Sequence, residues 1–240
     1  MNLSIHPTAT EANQAAAECL ADWLALPATR NLMVAAGNTP LELYRLIGEK
    51  RPANPHLRIF ALDEYVGVPL DEPRNCANLM RRRVGDAWGI PSGQFHVLSS
   101  RERDALESVR QHERLITEAG GLDVVILGLG QNGHLGFNEP GSEEHSGGRL
   151  LDLEPISIEA NRQWFGGDYA PARGVTTGLK TMLSARHVLI MAYGAHKTDA
   201  VKLMVEGPRG PQCPGSFLQR HADARVFLDA QSAAKLSSKS

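Results

Sequence analysis

The sequence predicts a doubly wound α/β fold, a mostly parallel sheet with helices on both faces, from three observations. Short apolar runs alternate with amphipathic stretches along most of the chain, the pattern of repeated strand–helix units. The 240 residues are 42% hydrophobic and are not divided by a Pro/Gly/Ser-rich linker or a charge block, so they fit one domain spanning residues 1–240. The apolar run Leu122–Leu127 passes directly into a glycine-rich turn, as a buried parallel strand does at the carboxyl edge of a sheet.

In chain order, Glu11–Ala25 has helical periodicity and leads to the first apolar run, Asn31–Ala35, read as a strand. The turn Gly37-Asn38-Thr39-Pro40 opens a helix over Leu41–Lys50, and the strand Leu57–Leu62 follows. A helix over Cys76–Trp88, a short strand at Phe95–Leu98 and a helix over Asp104–Ala119 lead to the strand Leu122–Leu127. The segment Gly141–Pro171, with Gly147-Gly148 and Gly166-Gly167, breaks this rhythm and reads as a long excursion over the active-site edge, a lid or binding loop. The pattern then resumes with the strand His187–Tyr193, helices at Lys197–Glu206 and Ser216–His221, and a last strand at Arg225–Leu228. The polar, small residues 232–240 read as a frayed tail.

A formal net charge of -2 gives no electrostatic footprint for nucleic acid or for an anionic membrane. Cys19, Cys76 and Cys213 are odd in number and widely spaced, against a disulfide framework or a thiolate metal site. Met1–Ala12 lacks the basic and apolar regions of a secretory leader, and no apolar run approaches ~20 residues, so a cytoplasmic protein is expected.

Three segments carry candidate chemistry. Gly37-Asn38-Thr39 precedes a helix N-terminus, where exposed N–H groups and a hydroxyl suit a phosphate, although such turns also serve purely structural ends. Asp63-Glu64 ends a strand; adjacent side chains on an extended chain point oppositely, so only one faces a given pocket, as a base or as an N-cap. The run Gly128-Leu129-Gly130-Gln131-Asn132-Gly133-His134-Leu135-Gly136-Phe137-Asn138-Glu139-Pro140 sets a histidine among glycines that a core strand does not need, with Glu139 near enough to orient the imidazole. Metal binding is the rival chemistry for His134 and Glu139, but neither a His-x-x-x-His nor a His-Glu-x-x-His pattern is present, so no metal is expected.

Together with Asp63-Glu64-Tyr65-Val66-Gly67 and Gly194-Ala195-His196-Lys197, these motifs resemble the glucosamine-6-phosphate and galactosamine-6-phosphate deaminases (isomerases) from about Leu32 to Leu228. The resemblance implies a Rossmann-like fold and conversion of a hexosamine 6-phosphate and water to a ketohexose 6-phosphate and ammonia, without a cofactor or metal. It also implies roles: Asp63 moves the proton between C2 and C1, His134 opens the ring, Glu139 is its carboxylate partner, and Lys197 with Gly37, Asn38 and Thr39 holds the phosphate.

Two positions depart from the glucosamine pattern. An Asp there precedes Gly-His, whereas Asn132 stands here; its amide oxygen can accept a hydrogen bond from His134 but supplies no charge. The phosphate-binding Arg lacks a clean counterpart, Arg162 falling about one position away. Beside these departures, Gly121-Leu122-Asp123 leading into the glycine-histidine run with Asn132, and Arg173-Gly174-Val175-Thr176-Thr177-Gly178-Leu179-Lys180, look more like the galactosamine branch, so galactosamine 6-phosphate, giving tagatose 6-phosphate, is favoured over glucosamine 6-phosphate, giving fructose 6-phosphate. A 6-phosphogluconolactonase-type hydrolase shares the glycine-histidine frame, but Phe137-Asn138-Glu139-Pro140 favours the deaminase. A non-catalytic sugar-phosphate sensor is the third reading. The expected partner is a small amino sugar phosphate, and a homo-oligomer is left open.

Overall fold

The computed structural model describes residues 1–50 and 55–237. In chain order the elements are β1 (Asn2–His6), α1 (Ala9–Ala25), β2 (Asn31–Val34), α2 (Leu41–Lys50), β3 (Arg58–Ala61), β4 (Asp63–Tyr65), α3 (Cys76–Met80), β5 (Phe95–His96) and α4 (Glu102–Glu118). They continue with β6 (Val124–Gly128), β7 (Arg149–Asp152), α5 (Pro155–Trp164), β8 (Arg173–Thr176), α6 (Leu179–Leu183), β9 (His187–Ala192), α7 (Thr198–Glu206) and β10 (Ala224–Asp229).

Seven strands form one sheet in the order β1-β10-β9-β6-β2-β3-β5, every neighbouring pair parallel. Alternation along each strand divides the core between the two faces. Leu32, Val34, Val124, Ile126, Leu189 and Met191 pack on one side with α1, α2 and α3, where Leu20, Tyr44 and Met80 are buried. Met33, Val125, Leu127, Val188 and Ile190 face the other side, under α4, α6 and α7. The doubly wound expectation therefore holds, and it holds because central strands buried on both faces are continuously apolar.

Local chemistry fixes the ends and registers. Thr8 and Glu11 form a reciprocal capping box at the start of α1, each side chain accepting the other's backbone N–H. The buried carboxylate of Asp123 accepts the N–H groups of Arg30 and Asn31 at 2.8 and 2.9 Å, aligning the start of β2 with β6. Beyond β2 the chain winds outward through β3 to β5, and beyond β6 it winds the opposite way through β9 to β10. The carboxyl ends of β2 and β6 thus flank the reversal of strand order, where open α/β sheets bind ligands.

Several elements depart from the expectation. Strand β1, outside the expected set, pairs with β10 at the sheet edge. A second, antiparallel sheet, β4-β8-β7, rises over the carboxyl edge, and its Asp63↔Thr176 pairing sets the position of Asp63. The excursion Gly141–Pro171 is not an irregular loop: it holds β7 and the ten-residue helix α5. The helix expected over Cys76–Trp88 changes after α3 into a π-helical stretch at Arg81–Asp86, and the one expected at Ser216–His221 is a 3-10 helix over Pro214–Arg220. The frayed-tail expectation for 232–240 is corrected over its described part. Ser232 is fully buried, donating its hydroxyl to the Ala192 carbonyl at 2.7 Å, and Ala233 and Leu236 complete the apolar core; residues 238–240 lie outside the described set.

Cys76 and Cys213 are buried and Cys19 half-buried, all as free thiols. Among the described residues no helix is long and apolar enough to cross a membrane.

Candidate active site

A cleft of about 280 Å³ opens at the reversal point, lined by Ala35–Pro40 after β2, Gly128–Gln131 at the end of β6, Asp63, His134, Lys197 and one face of α5. That is small-molecule scale. The Tyr44 hydroxyl donates to the Ala35 carbonyl at 2.9 Å and pins the turn that carries Gly37, Asn38 and Thr39 to the start of α2.

Of the adjacent carboxylates, Asp63 faces the cleft and Glu64 turns away to accept the N–H groups of Tyr65, Cys76 and Ala77. The opposition expected of an extended chain is observed. Asp63 is 6% exposed and, among the described residues, its carboxylate accepts no hydrogen bond. Burial, with the Glu64 charge adding to it, pushes its carboxyl up to about 8. Glu64 is pushed up to about 7 by burial, against the pull of its backbone hydrogen bonds.

The turn after β6 brings the imidazole to the cleft. The Gly130 N–H donates to the His134 carbonyl at 3.0 Å, and a Cβ on Gly130 would lie 2.3 Å from the His134 ring. Gly133, at φ +86°, would place a Cβ 2.5 Å from the Cys213 sulfur, so both glycines are required where they stand. Gly130→Ala is accordingly expected to displace the ring and lower turnover about 100-fold, the scale of an ångström's misplacement of a reacting group. Assay alongside a melting curve checks this, and a variant both folded and fully active would contradict the placement.

Glu139 and Asn132 stand behind the imidazole rather than on the cleft wall. Glu139 Oε2 lies 3.1 Å from His134 Nδ1, which places the ring proton on Nδ1 and leaves Nε2 to exchange protons. Burial pushes the Glu139 carboxyl up, but its hydrogen bonds to His134, Ser157 and Asn132 together hold it below its ordinary value. Asn132 differs from expectation. Its amide oxygen accepts the His134 backbone N–H at 3.3 Å, and its Nδ2 donates to Glu139 Oε2 at 2.8 Å, so it steadies the carboxylate and does not touch the ring.

Among the described residues Lys197 is the one Lys or Arg on the cleft wall, beside the Gly37–Thr39 turn. Among the described residues its ammonium has no hydrogen-bond or ion-pair partner, and burial lowers it to about 8. Arg162 is not part of the site. The residues of α5 that line the cleft, Ile156, Ser157, Ala160, Asn161 and Trp164, follow helical spacing, which turns Arg162 outward; its side chain is 57% exposed and pairs with Glu159 at 3.4 Å.

Sequence reasoning missed Ser157, Asn161 and Trp164 because the segment carrying them reads as a loop. The available signal was Glu154-Pro155, with proline at a first helical position, ahead of polar residues four apart. Among the described residues no cluster of three or more His, Cys, Asp or Glu side chains could hold a metal ion.

The chain matches the family described as glucosamine-6-phosphate isomerases/6-phosphogluconolactonase over residues 6–227. It is 40% identical over 211 residues to the glucosamine-6-phosphate deaminase of Rhodopirellula baltica, covering 85% of this chain and 84% of that protein. It is 36% identical to that of a Marinomonas species, covering 100% and 93%. A solved monomeric glucosamine-6-phosphate deaminase superposes with a TM-score of 0.92 at 29% identity, over 98% of this chain and 99% of that one. The 6-phosphogluconolactonase of Trypanosoma cruzi superposes at 0.80 with 21% identity, over 99% and 97%, a likeness of fold alone.

Proposed function

The chain belongs to the glucosamine-6-phosphate isomerase/6-phosphogluconolactonase family, and we propose that its cleft carries out the isomerising deamination of an amino sugar 6-phosphate. The observation that carries this reading is the shared cleft of three groups: the buried carboxylate of Asp63, the imidazole of His134 with Glu139 behind it, and the ammonium of Lys197 beside a helix N-terminus.

Each group suits one step. The ammonium of Lys197 and the N–H groups around Gly37–Thr39 take the phosphate, which fixes the sugar with its reacting carbons inward. His134 Nε2 takes the anomeric hydroxyl proton and returns it to the ring oxygen, while Glu139 stabilises the imidazolium formed between. Asp63 then removes the C2 proton from the open aldose and delivers it to C1, leaving a C2 imine. Water adds to that imine and ammonia leaves, so hexosamine 6-phosphate and water balance ketohexose 6-phosphate and ammonia.

The named relatives support glucosamine 6-phosphate as the substrate, with fructose 6-phosphate as the product. The galactosamine preference read from Asn132, Gly121–Asp123 and Arg173–Lys180 finds no support in them, and Arg162 lies outside the cleft. Ammonia release measured in parallel on the two epimers tests this: a higher kcat/KM for glucosamine 6-phosphate is expected, and the reverse order would reinstate the galactosamine branch.

Lys197→Ala is expected to raise KM roughly thirtyfold, the effect of a charge-assisted phosphate contact of about 2 kcal/mol. Unphosphorylated glucosamine should show no such loss. Because burial lowers Lys197 to about 8, the free enzyme loses this charge as pH rises through that value, and kcat/KM falls on the basic side. Lys197→Arg, whose guanidinium stays charged, should carry that limb to higher pH. An equal loss for phosphorylated and unphosphorylated sugar would place the phosphate elsewhere.

A further inference from the structure

Glu139 is held at both of its oxygens, and the two holds come from different parts of the fold. Oε2 faces His134 and accepts from Asn132, both on the turn after β6. Oε1 accepts from the Ser157 hydroxyl at 2.5 Å, and Ser157 stands in the first half of α5, 18 positions further along the chain. Ser157 is 6% exposed, so this hydrogen bond is sheltered from competing water. One turn later on the same helix face, Asn161 accepts the Tyr65 hydroxyl at 3.0 Å and donates to the Pro171 carbonyl at 3.1 Å. Tyr65 lies on β4 two residues from Asp63. A single helix face that also forms a wall of the cleft is therefore bonded to the partner of His134 and to the strand bearing Asp63.

We propose that Ser157 is a positioning residue for the reaction: its hydroxyl fixes the Glu139 carboxylate against His134 and so ties the cleft-wall helix α5 to the ring-opening group. The proposal rests on the deaminase reading and extends it to a residue that never needs to touch the reacting carbons. A carboxylate rotates about its last side-chain bond unless both oxygens are held. Asn132 and His134 share Oε2, so the Ser157 hydroxyl is the one hydrogen bond to Oε1 among the described residues. Without it the carboxylate can swing off Nδ1, and the imidazole loses both its orientation and its charge partner. A hydroxyl is the group required here, since it donates without adding a second negative charge beside Glu139.

A double-mutant cycle tests this on the full chain with glucosamine 6-phosphate. Ser157→Ala is expected to lower kcat about tenfold, the low end for loss of an orienting partner, with KM within about twofold. Ser157→Thr, which keeps the hydroxyl, should restore kcat to within about twofold of the wild type. In a Glu139→Gln background, Ser157→Ala should change kcat by less than about twofold, because the charge it positions is already gone. A tenfold loss that persists in that background, a loss confined to KM, or a single variant as active as the wild type would each overturn the proposal. Melting temperatures of the variants separate these outcomes from misfolding. A wild-type protein that releases no ammonia would instead remove the deaminase reading itself, and this inference with it.

Discussion

Asp63→Asn is expected to lower turnover about ten-thousandfold, at the upper end of what a general base contributes, because Asp63 is the carboxylate that faces the cleft and, among the described residues, has no partner to share its work. The amide keeps the volume and removes the basic lone pair, so the affinity for sugar phosphate should stay within a few-fold of the wild type. The pH dependence has a definite sign. With the free-enzyme carboxyl pushed up to about 8, kcat/KM should climb with pH towards that value as Asp63 ionises and, because Lys197 loses its charge over the same range, pass through a narrow maximum near it. In the complex, the ammonium at C2 of the substrate favours the carboxylate, so the acid limb of kcat should lie lower.

The same burial makes Asp63 costly to stability. Its folded carboxyl titrates near 8 against an ordinary 3.8, so between those values the native state holds a proton that the unfolded chain has released. Stability from this group is full below about 3.8, falls as pH rises towards 8, and is level above. Asp63→Asn, which has nothing to ionise, should therefore melt higher than the wild type, with a gap that widens from pH 5 to pH 8. An inactive variant that melts lower at pH 8 would indicate disrupted packing rather than a missing base.

Glu139→Gln is expected to cost about a thousandfold, and Asn132→Ala only about tenfold, because the first removes the one negative charge against the imidazole and the second a neutral hydrogen bond. In the Ser-His-Asp proteases, where the carboxylate holds a histidine in the same manner, the corresponding Asp-to-Asn change costs ~10⁴. A smaller figure is expected here because the Asn132 amide oxygen still accepts the His134 backbone N–H and keeps the turn that carries the ring in place. Asn132→Asp should act on Glu139 rather than on the ring, since Asn132 Nδ2 lies 2.8 Å from Glu139 Oε2. Two carboxylates at that separation retain one proton between them to higher pH, so activity should require a higher pH than in the wild type. Asn132→Ala as damaging as Glu139→Gln would contradict this division of labour.

The parts of the molecule legible in sequence are those where one physical demand dominates. Asn31–Val34 and Val124–Gly128 are buried on both faces and read as plain apolar runs. The glycines near His134 read as functional because a core strand has no need of them, and the structure shows their reason: a Cβ on Gly130 would meet the ring and one on Gly133 the Cys213 sulfur. What was hidden is where demands mix. Strands β4 and β7 are three and four residues long and carry charge, so period-two alternation has too few positions to register. Ser157 and Asn161 are polar residues buried by their hydrogen bonds, and their partners lie 18 and 96 positions away in sequence. Ser232, Ala233 and Leu236 look like a tail by composition, yet they pack because the edge of the core needs closing there. Arg162 falls about one position from the phosphate-binding Arg of the glucosamine pattern, and one helical position is a rotation of about 100°, enough to turn a side chain out of the cleft.

The central claim, that one cleft moves a proton from C2 to C1 of an amino sugar phosphate and releases ammonia, is tested most directly by following the reaction of the purified protein with glucosamine 6-phosphate in D₂O. Ammonia and ketohexose 6-phosphate should form one to one, with deuterium entering C1 of the ketose to the extent that Asp63 exchanges with solvent, and Asp63→Asn should form neither product at a measurable rate. Protein that hydrolyses 6-phosphogluconolactone while releasing no ammonia from either glucosamine or galactosamine 6-phosphate would contradict the account.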